Sequence, residues 1–551
     1  MIIPVCTLLT ETSPQALPLG AACIVSSINE FFKNSQNKSF SSLDICSELV
    51  VFSAEENPSP EFVAKKILEF DTTITCFSVF VWNYVFFTQV AKIIRKENPN
   101  FIFVAGGPEI TAHPESCLDF DFVISGEGEV QVPLLLKKII IDKEKNLCRH
   151  VYGGRVPVEK LVSPYLSGIL DTKNFADGAL WELARGCPFK CAYCYESKGE
   201  KTVVHFPMER IKSELEYFKK QGVCQVFVLD PTYNANKQRA LEILQYIKKT
   251  ASNIFFHFEC RAEFIDKELA RAFAEITCSL QIGLQSSNPK ALKLVNRSFN
   301  KEEFVRKINL LNKAGVIFGF DLIYGLPGDN LQSFRESIDF ALSLYPNSLE
   351  IFRLSVLPGT ILFDNRKELE LVAQNEPPYF VLKTRGFSSK DLSVAEKLGQ
   401  AVTLFYSQGR AVSWFHSLLK PLKQRPWIFF ERFYAFVEKS SFMAKRLKNK
   451  TLDCLDHQQI EKLQIDFIQE EYNMNNLKHF LPVALDIIKI NGAFSRAYAD
   501  GKITNLQLSF HPEDLLSPYA MDITFFAKNA KKYPCNIKVF PGKQGPVWKM
   551  K

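Results

Sequence analysis

Arg185-Gly186-Cys187-Pro188-Phe189-Lys190-Cys191-Ala192-Tyr193-Cys194 sets three cysteines within one short loop of a 551-residue chain. Thiolates this close can wrap one compact inorganic centre. They supply three ligands, and a [4Fe–4S] cluster held by three cysteines keeps one iron free for a small chelating molecule. A structural zinc site would want four N or S ligands, commonly as two CxxC-like pairs, and no second pair follows at finger-like distance. A disulfide suits a small secreted chain, which this is not. On spacing alone, cluster, zinc and chance proximity all stay open.

The spacing resembles the CxxxCxxC signature of the radical SAM superfamily. The resemblance implies that Cys187, Cys191 and Cys194 hold a [4Fe–4S] cluster and that S-adenosylmethionine (SAM) chelates the free iron through its amino and carboxylate groups. It also implies that electron transfer splits the sulfonium to a 5′-deoxyadenosyl radical. Tyr193 stands where the family usually has an aromatic residue packed near the adenine.

Outward from the loop, strand and helix patterns alternate from 179 to 362 at intervals of about 30 residues. The expected strands are Leu180 to Ala184, Gln225 to Leu229, Phe255 to Cys260, Ser279 to Gly283, Ile317 to Ile323 and Leu349 to Leu354. Six such units suit a partial (β/α)₆ barrel whose chemistry lies at the strands' carboxyl ends. Polar groups recur there: Asp230 and Thr232, then Glu259 and Arg261, then Gln285 and Ser286, with Asn296-Arg297 in the helix beyond. Asp321 opens a segment ending Gly325-Leu326-Pro327-Gly328, and Leu357-Pro358 sit in the sixth turn. By resemblance, Asp230 and Thr232 face the methionine amino group, Glu259 and Arg261 the ribose or a carboxylate, Asp321 the adenosyl group, and Leu357 and Pro358 the adenine. Taken singly, the aspartates could equally cap helices and Arg261 could be a surface ion-pair residue.

Residues 1–145 read as a doubly wound parallel sheet, Rossmann-like, with a ligand beyond the strands' carboxyl ends. Strands are expected at 2–9, 43–52, 73–81, 101–105 and 121–125. Three turns share that edge: one after Ser78, one at Gly106-Gly107-Pro108, and one at Gly126-Glu127. Glycine there lets a bulky ligand come close to the backbone. The arrangement resembles the cobalamin-binding domain that precedes the core in many radical SAM proteins, with Ser78 and Gly106-Gly107 at the spacing of its SxL and GG motifs. The histidine of a DxHxxG motif is missing from residues 7–20, so the resemblance implies cobalamin bound base-off without a protein imidazole. A ligand-free flavodoxin-like domain is the alternative.

Residues 146–178 read as a linker, with Gly153-Gly154, Pro157 and Pro164 and no sustained period. Residues 363–551 read as a mostly helical region with a small β-containing tail from about Leu506. Its aromatics, Trp414 to Phe433, are expected to pack a core. The part from Pro377-Pro378-Tyr379 to Arg410 resembles an uncharacterised domain found after the core in one cobalamin-dependent branch.

A net charge of +7 is mild at this length. The densest basic run, Lys445-Arg446-Leu447-Lys448-Asn449-Lys450, reads as a solvated helix end, so nucleic acid is not expected as a partner. Of fourteen cysteines, those outside the loop are scattered singly, which suits reduced thiols in a cytoplasmic protein. Neither a signal peptide nor an apolar run of about 20 residues stands out.

The resemblance thus implies an enzyme that uses SAM, a [4Fe–4S] cluster and cobalamin for methyl transfer or a radical rearrangement. The substrate would be an unidentified small molecule or peptide, and the electron would come from a reductant such as flavodoxin or ferredoxin. No general base is assignable. Two other readings compete: a methylthiotransferase acting on tRNA or a ribosomal protein, which needs three more clustered cysteines, and a non-enzymatic cobalamin sensor with a structural cluster.

Overall fold

The computed structural model of the chain describes residues 1–36, 44–197, 202–439, 455–543 and 545–551. They form two units. One contains Met1–Leu280, Ala314–Val316 and Ser355–Leu382, the other Gln281–Lys313, Ile317–Leu354 and Lys383–Lys551. The Lys445 to Lys450 run lies outside the described residues.

The first unit begins with six parallel strands: β1 (Ile2–Leu9), β2 (Cys46–Ser53), β3 (Ile74–Ser78), β4 (Ile102–Gly106), β5 (Phe122–Gly126) and β6 (His150–Gly154). Their order is β2-β1-β3-β4-β5-β6, so the winding reverses between β1 and β3. Both faces are covered, which is why the strands read as apolar runs. On one side Val25, Ile28 and Phe32 of α1 (Leu19–Gln36) pack with Val132 and Leu136 of α5 (Gln131–Ile140). On the other, Ile67 of α2 (Pro60–Leu68) packs with Phe87, Val90 and Ile94 of α3 (Tyr84–Glu97). The short α4 (Pro108–Ala112) follows β4.

One strand was not expected. β6 falls in the stretch read as linker, where Gly153-Gly154 and a length of five residues hide its pairing. Its register shifts between Ser125 and Gly126, so the sheet ends on an irregular edge.

The central sheet has the order β14-β13-β12-β11-β10-β7, the sequential connectivity of a (β/α)₆ unit. Its strands are β7 (Gly178–Trp181), β10 (Gln225–Val228), β11 (Phe255–Cys260), β12 (Cys278–Gln285), β13 (Ile317–Tyr324) and β14 (Ser348–Arg353). β7, β10 and β11 run parallel, as do β13 and β14. The first strand ends earlier than its sequence implies. Glu182 and Leu183 interrupt it, and Ala184–Arg185 form a separate strand, β8, antiparallel to β9 (Val204–His205). The cysteine loop therefore leaves from a small two-stranded stem, not from the barrel strand itself. Beyond the central sheet, β15 (Val372–Ala373) and β16 (Val381–Lys383) pair as a short ribbon.

In the second unit the helices Ser389–Val402, Phe415–Leu422, Pro426–Lys439, His457–Met474 and Leu481–Ala499 dominate. Phe405 lies at the centre of their aromatic core, 4.9 Å from Phe433 and 5.0 Å from Phe429 by ring centroid. Core packing thus accounts for the aromatic run. The helical pattern breaks at Lys423, whose φ of 51° caps the helix Phe415–Leu422. The β-containing tail is a three-stranded antiparallel sheet, β17 (Thr504–Leu508), β18 (Cys535–Gly542) and β19 (Gly545–Met550). No helix among the described residues is long and apolar enough to cross a membrane.

Candidate functional site

The turns after β3, β4 and β5 are each shaped by a local demand. Gly107 has a φ of 115°, and a Cβ there would stand 2.4 Å from the Val79 carbonyl oxygen, so only glycine fits. Gly106 is different: its nearest neighbour would be the Ile124 carbonyl at an ordinary 3.6 Å. Ser78 lies beside Gly106 in the ladder. The Thr111 hydroxyl accepts from Gly126 N at 3.0 Å and donates to the Gly107 carbonyl at 2.8 Å, tying two of the turns together. Pro108 opens α4 and needs no amide partner there.

The root of the cysteine loop is fixed by charge. Arg185 is paired with Glu129 at 2.7 Å, Glu182 at 2.9 Å and Glu127 at 3.2 Å. Burial works against its charge, but Glu182 and Glu129 outweigh that and hold the guanidinium firmly protonated. Glu127, expected as a ligand contact, also accepts from Val156 N at 2.6 Å. It acts on the loop through Arg185, and Gly126 makes the turn that presents it.

Within the loop, Cys187 and Cys191 are buried and Cys194 is partly so. Cys194 N donates to the Cys191 carbonyl at 3.0 Å, closing a turn that carries half-buried Tyr193. Burial pushes the Cys194 thiol up to about 11, and Cys191 and Cys187 both add to the rise, so Cys194 lies within electrostatic reach of both. Among the described residues no three Cys, His, Asp or Glu stand in the tight group that a single ion takes. An iron–sulfur cube spreads its thiolates over three corners and asks for a wider triangle. Three cysteines in one short loop, with Cys194 feeling the other two, fit that donor set.

Around the loop, the Arg261 guanidinium stacks 3.7 Å from the centroid of Phe189, a contact worth about 0.5–2 kcal/mol. It also pairs with Glu263, so Arg261 shapes the loop wall. Thr232 Oγ1 lies 3.8 Å from Cys187 Sγ and donates to the Pro231 carbonyl. Asp230 is buried, which raises its carboxyl above the usual range, while Thr232 N and the Arg239 charge hold the rise back. Exposed Glu259 reaches the same space from β11. Pro358 is buried and Leu357 half-buried in a turn that Thr360 Oγ1 closes onto the Leu357 carbonyl at 2.7 Å.

Part of this framework lines one cavity of about 1110 Å³, whereas Cys187, Cys191, Cys194, Tyr193, Thr232, Arg261, Leu357 and Pro358 are not in its lining. Ser78, Gly106, Gly107, Pro108, Gly126 and Glu127 line it from the first sheet, and Arg185, Gly186, Tyr195, Asp230 and Glu259 from the cysteine-loop side. Thr7 and Leu9 of β1 and Ser78 of β3 place it at the point where the winding reverses, the usual ligand position in such sheets. A space this large, mostly apolar and rimmed by glycine turns, fits a bulky ring-shaped cofactor. No histidine lines it among the described residues. Sequence reasoning missed part of the wall: Trp82 stacks on Phe80 at 4.4 Å and donates its indole N–H to the Leu8 carbonyl. The aromatic pair so soon after Ser78 was the available signal.

In the second unit the expected contacts divide. Ser286 Oγ donates to Asp329 at 2.9 Å and accepts from Asn288 N, so it fixes its own loop. Gln285, at a φ of 67°, leaves its buried Oε1 without a hydrogen-bond partner. Asp321 accepts from Gln281 at 2.5 Å, and burial raises its carboxyl. A buried orphan acceptor and a desolvated acid suit a ligand bearing N–H or O–H donors.

The remaining cysteines behave otherwise. Burial pushes Cys6 and Cys76 up to about 12, which keeps them as thiols inside the sheet.

Comparison with known proteins agrees with this division of labour. Residues 181–341 match the radical SAM superfamily, residues 48–136 the B12 binding domain, and residues 367–487 a protein family of unknown function, DUF4080. The chain is 26% identical over 325 residues to the cobalamin-dependent radical SAM methyltransferase TokK of Streptomyces tokunonensis, covering 52% of this chain and 48% of TokK. It is 26% identical over 373 residues to an uncharacterized methyltransferase of Pyrococcus horikoshii, covering 62% and 81%. Over the match with TokK it thus spans about half that relative's length. Two solved structures share the fold: OxsB, a cobalamin-dependent SAM radical enzyme, at TM-score 0.57 and 13% identity over 87% of this chain and 80% of that one, and the radical SAM methyltransferase TsrM of Kitasatospora setae, at 0.55 and 14% over 70% and 80%. The radical SAM domain implies SAM and a [4Fe–4S] cluster, and the domain ahead of it implies cobalamin.

Proposed function

We propose that this chain, which carries a B12-binding domain, a radical SAM domain and a DUF4080 region in that order, is a cobalamin-dependent radical SAM methyltransferase. One observation carries the reading: the glycine turns of the first sheet and the root of the cysteine loop open onto the same cavity within one unit. A group held by one wall can therefore act on a group held by the other. Methyltransferases among the relatives support methyl transfer over rearrangement.

Cys187, Cys191 and Cys194 would hold the cluster, and Ser78, Gly106, Gly107, Pro108 and Gly126 would border the corrin. Asp230 and Glu259 would meet the cationic end of SAM, and Tyr193, Leu357 and Pro358 its adenine. When bound, the cluster supplies the electron that cleaves SAM and cobalamin carries the methyl group. The protein's part is positioning and exclusion of water. The Glu127–Arg185 pair ties a glycine turn to the loop root, and desolvation around Asp230 strengthens any charge it meets. Gln285 and Asp321 are held ready for a polar ligand, whereas Thr232, Arg261, Ser286 and Glu127 have internal partners and serve by fixing loops. A small molecule or peptide is the substrate class, a flavodoxin or ferredoxin the electron source, and the reducing cytoplasm the compartment that suits scattered thiols.

Anaerobic reconstitution followed by metal, sulfide and corrinoid assay tests this. The expected result is about four irons and one corrinoid per chain, with 5′-deoxyadenosine released on reduction in the presence of SAM. About eight irons would point to a methylthiotransferase, zinc would dismiss cluster chemistry, and a loaded chain that releases no 5′-deoxyadenosine would be a sensor.

A further inference from the structure

Behind the Gly106-Gly107 turn lies a polar trio, two of its members buried, that the proposed chemistry does not use. Glu109 of α4 is 5% exposed, and Tyr379 is 4% exposed. The Tyr379 hydroxyl donates to Glu109 Oε1, the same oxygen that His113 Nε2 meets at 3.0 Å, and Tyr379 Oη lies 3.2 Å from that nitrogen. Tyr379 comes from a stretch 270 positions downstream of Glu109, inside the region that matches DUF4080. Its φ of 57° is unfavourable for an aromatic residue, so the surroundings hold it in place.

The same stretch touches the cysteine loop. Leu362 N donates to the Ala192 carbonyl, between the second and third cysteines, at 2.8 Å. A Cβ on Gly359 would meet Ala112 of α4 and the ring of Tyr195 at 3.4 Å, and Val356 N donates to the Tyr379 carbonyl at 2.9 Å, joining the two contacts. Residues 355–382 therefore grip the helix behind the glycine turn with one hand and the cysteine loop with the other, all within the first unit.

We infer that residues 355–382 are a spacer that sets the glycine turn against the cysteine loop, with Tyr379 as its positioning residue acting through Glu109. The DUF4080 match supplies only the Tyr379 end of this spacer, and the contacts to the cysteine loop come from the residues just before it. Hydrogen bonds that the protonated His113 imidazole donates to Cys117 and Glu109 raise it to about 10, so a charged His113 reinforces the Glu109 end of the grip.

The inference rests on the cofactor reading above, and the test separates the two. Full-length wild type, Tyr379→Phe, Glu109→Gln and the double variant are reconstituted with cluster and titrated with hydroxocobalamin by absorbance. Tyr379→Phe should weaken corrinoid binding by about tenfold or more, the value of a hydrogen bond to a charged acceptor. Iron content and SAM cleavage should stay at wild-type levels, and the double variant should bind no more weakly than the worse single one. Unchanged corrinoid affinity in Tyr379→Phe would overturn the spacer while leaving the cofactor reading intact. Equal losses of iron, SAM cleavage and corrinoid would reduce Tyr379 to a folding residue and overturn it too. A wild type that takes up no corrinoid would overturn the cofactor reading and this inference together.

Discussion

Two walls of one cavity are built by opposite means. The root of the cysteine loop lines it through side chains, a guanidinium held by three carboxylates, and the three sulfurs and the phenyl ring under Arg261 lie in the loop outside that lining. The strand-end turns of the first sheet work by having no side chains, so that backbone and ligand can meet. The difference teaches how each wall fails. A side-chain wall loses its ligand when one atom changes. A backbone wall fails either because a new Cβ strikes the ligand or because it strikes the protein.

Breaking the first wall should give the largest effect. Cys191→Ser replaces a thiolate with a hydroxyl that ligates iron poorly, and iron per chain should fall from about four to near zero, with loss of SAM cleavage. Cys224→Ser, at an exposed cysteine outside the cavity, should leave iron untouched. Iron retained in Cys191→Ser would remove that sulfur from the cluster.

The second wall can be split into its two modes of failure. Gly107→Ala must place a Cβ against the Val79 carbonyl at a positive φ, and should cost roughly 2–4 kcal/mol in chemical denaturation before any ligand is considered. Gly106→Ala meets no protein atom closer than 3.6 Å, so its melting should match wild type while corrinoid binding weakens. If both variants melted normally and bound corrinoid normally, the glycine pair would have no part in either fold or ligand.

The same contrast explains what could be read from the sequence. Cysteine spacing carries identity and distance in one string, so it pointed at once to Cys187, Cys191 and Cys194 as the candidate ligands. Strand periodicity and the recurrence of polar residues at strand ends gave the two sheets and the edge where the cavity lies. β6 was missed because its pairing depends on a partner strand 25 residues away and its two glycines read as a break. Ser286 and Glu127, read as ligand contacts, are also held by other side chains, which a polar residue at a strand end does not reveal. Their partners, Asp329 and Arg185, become visible only in three dimensions. The Glu109–Tyr379 contact had no sequence signal at all, since nothing local marks two residues so far apart as neighbours.

The smallest expected effect concerns the charge beneath the backbone wall. His113 faces Glu109 and Cys117 from its own stretch, Tyr84 from α3, and Tyr379 from the spacer. In an unfolded chain its imidazole titrates near 6.5, whereas its partners raise it to about 10 in the fold. The folded state therefore holds the proton more tightly. The stability gained is fully present below about pH 6.5 and is lost as pH rises from there through about 10. His113→Gln lacks that proton, so wild type should exceed the variant most at pH 6 in urea denaturation, and the gap should narrow steadily toward pH 9. A gap that stays constant would show that His113 contributes by shape alone, and the grip on the glycine turn would then rest on the Tyr379 hydroxyl and the Glu109 carboxylate without help from charge.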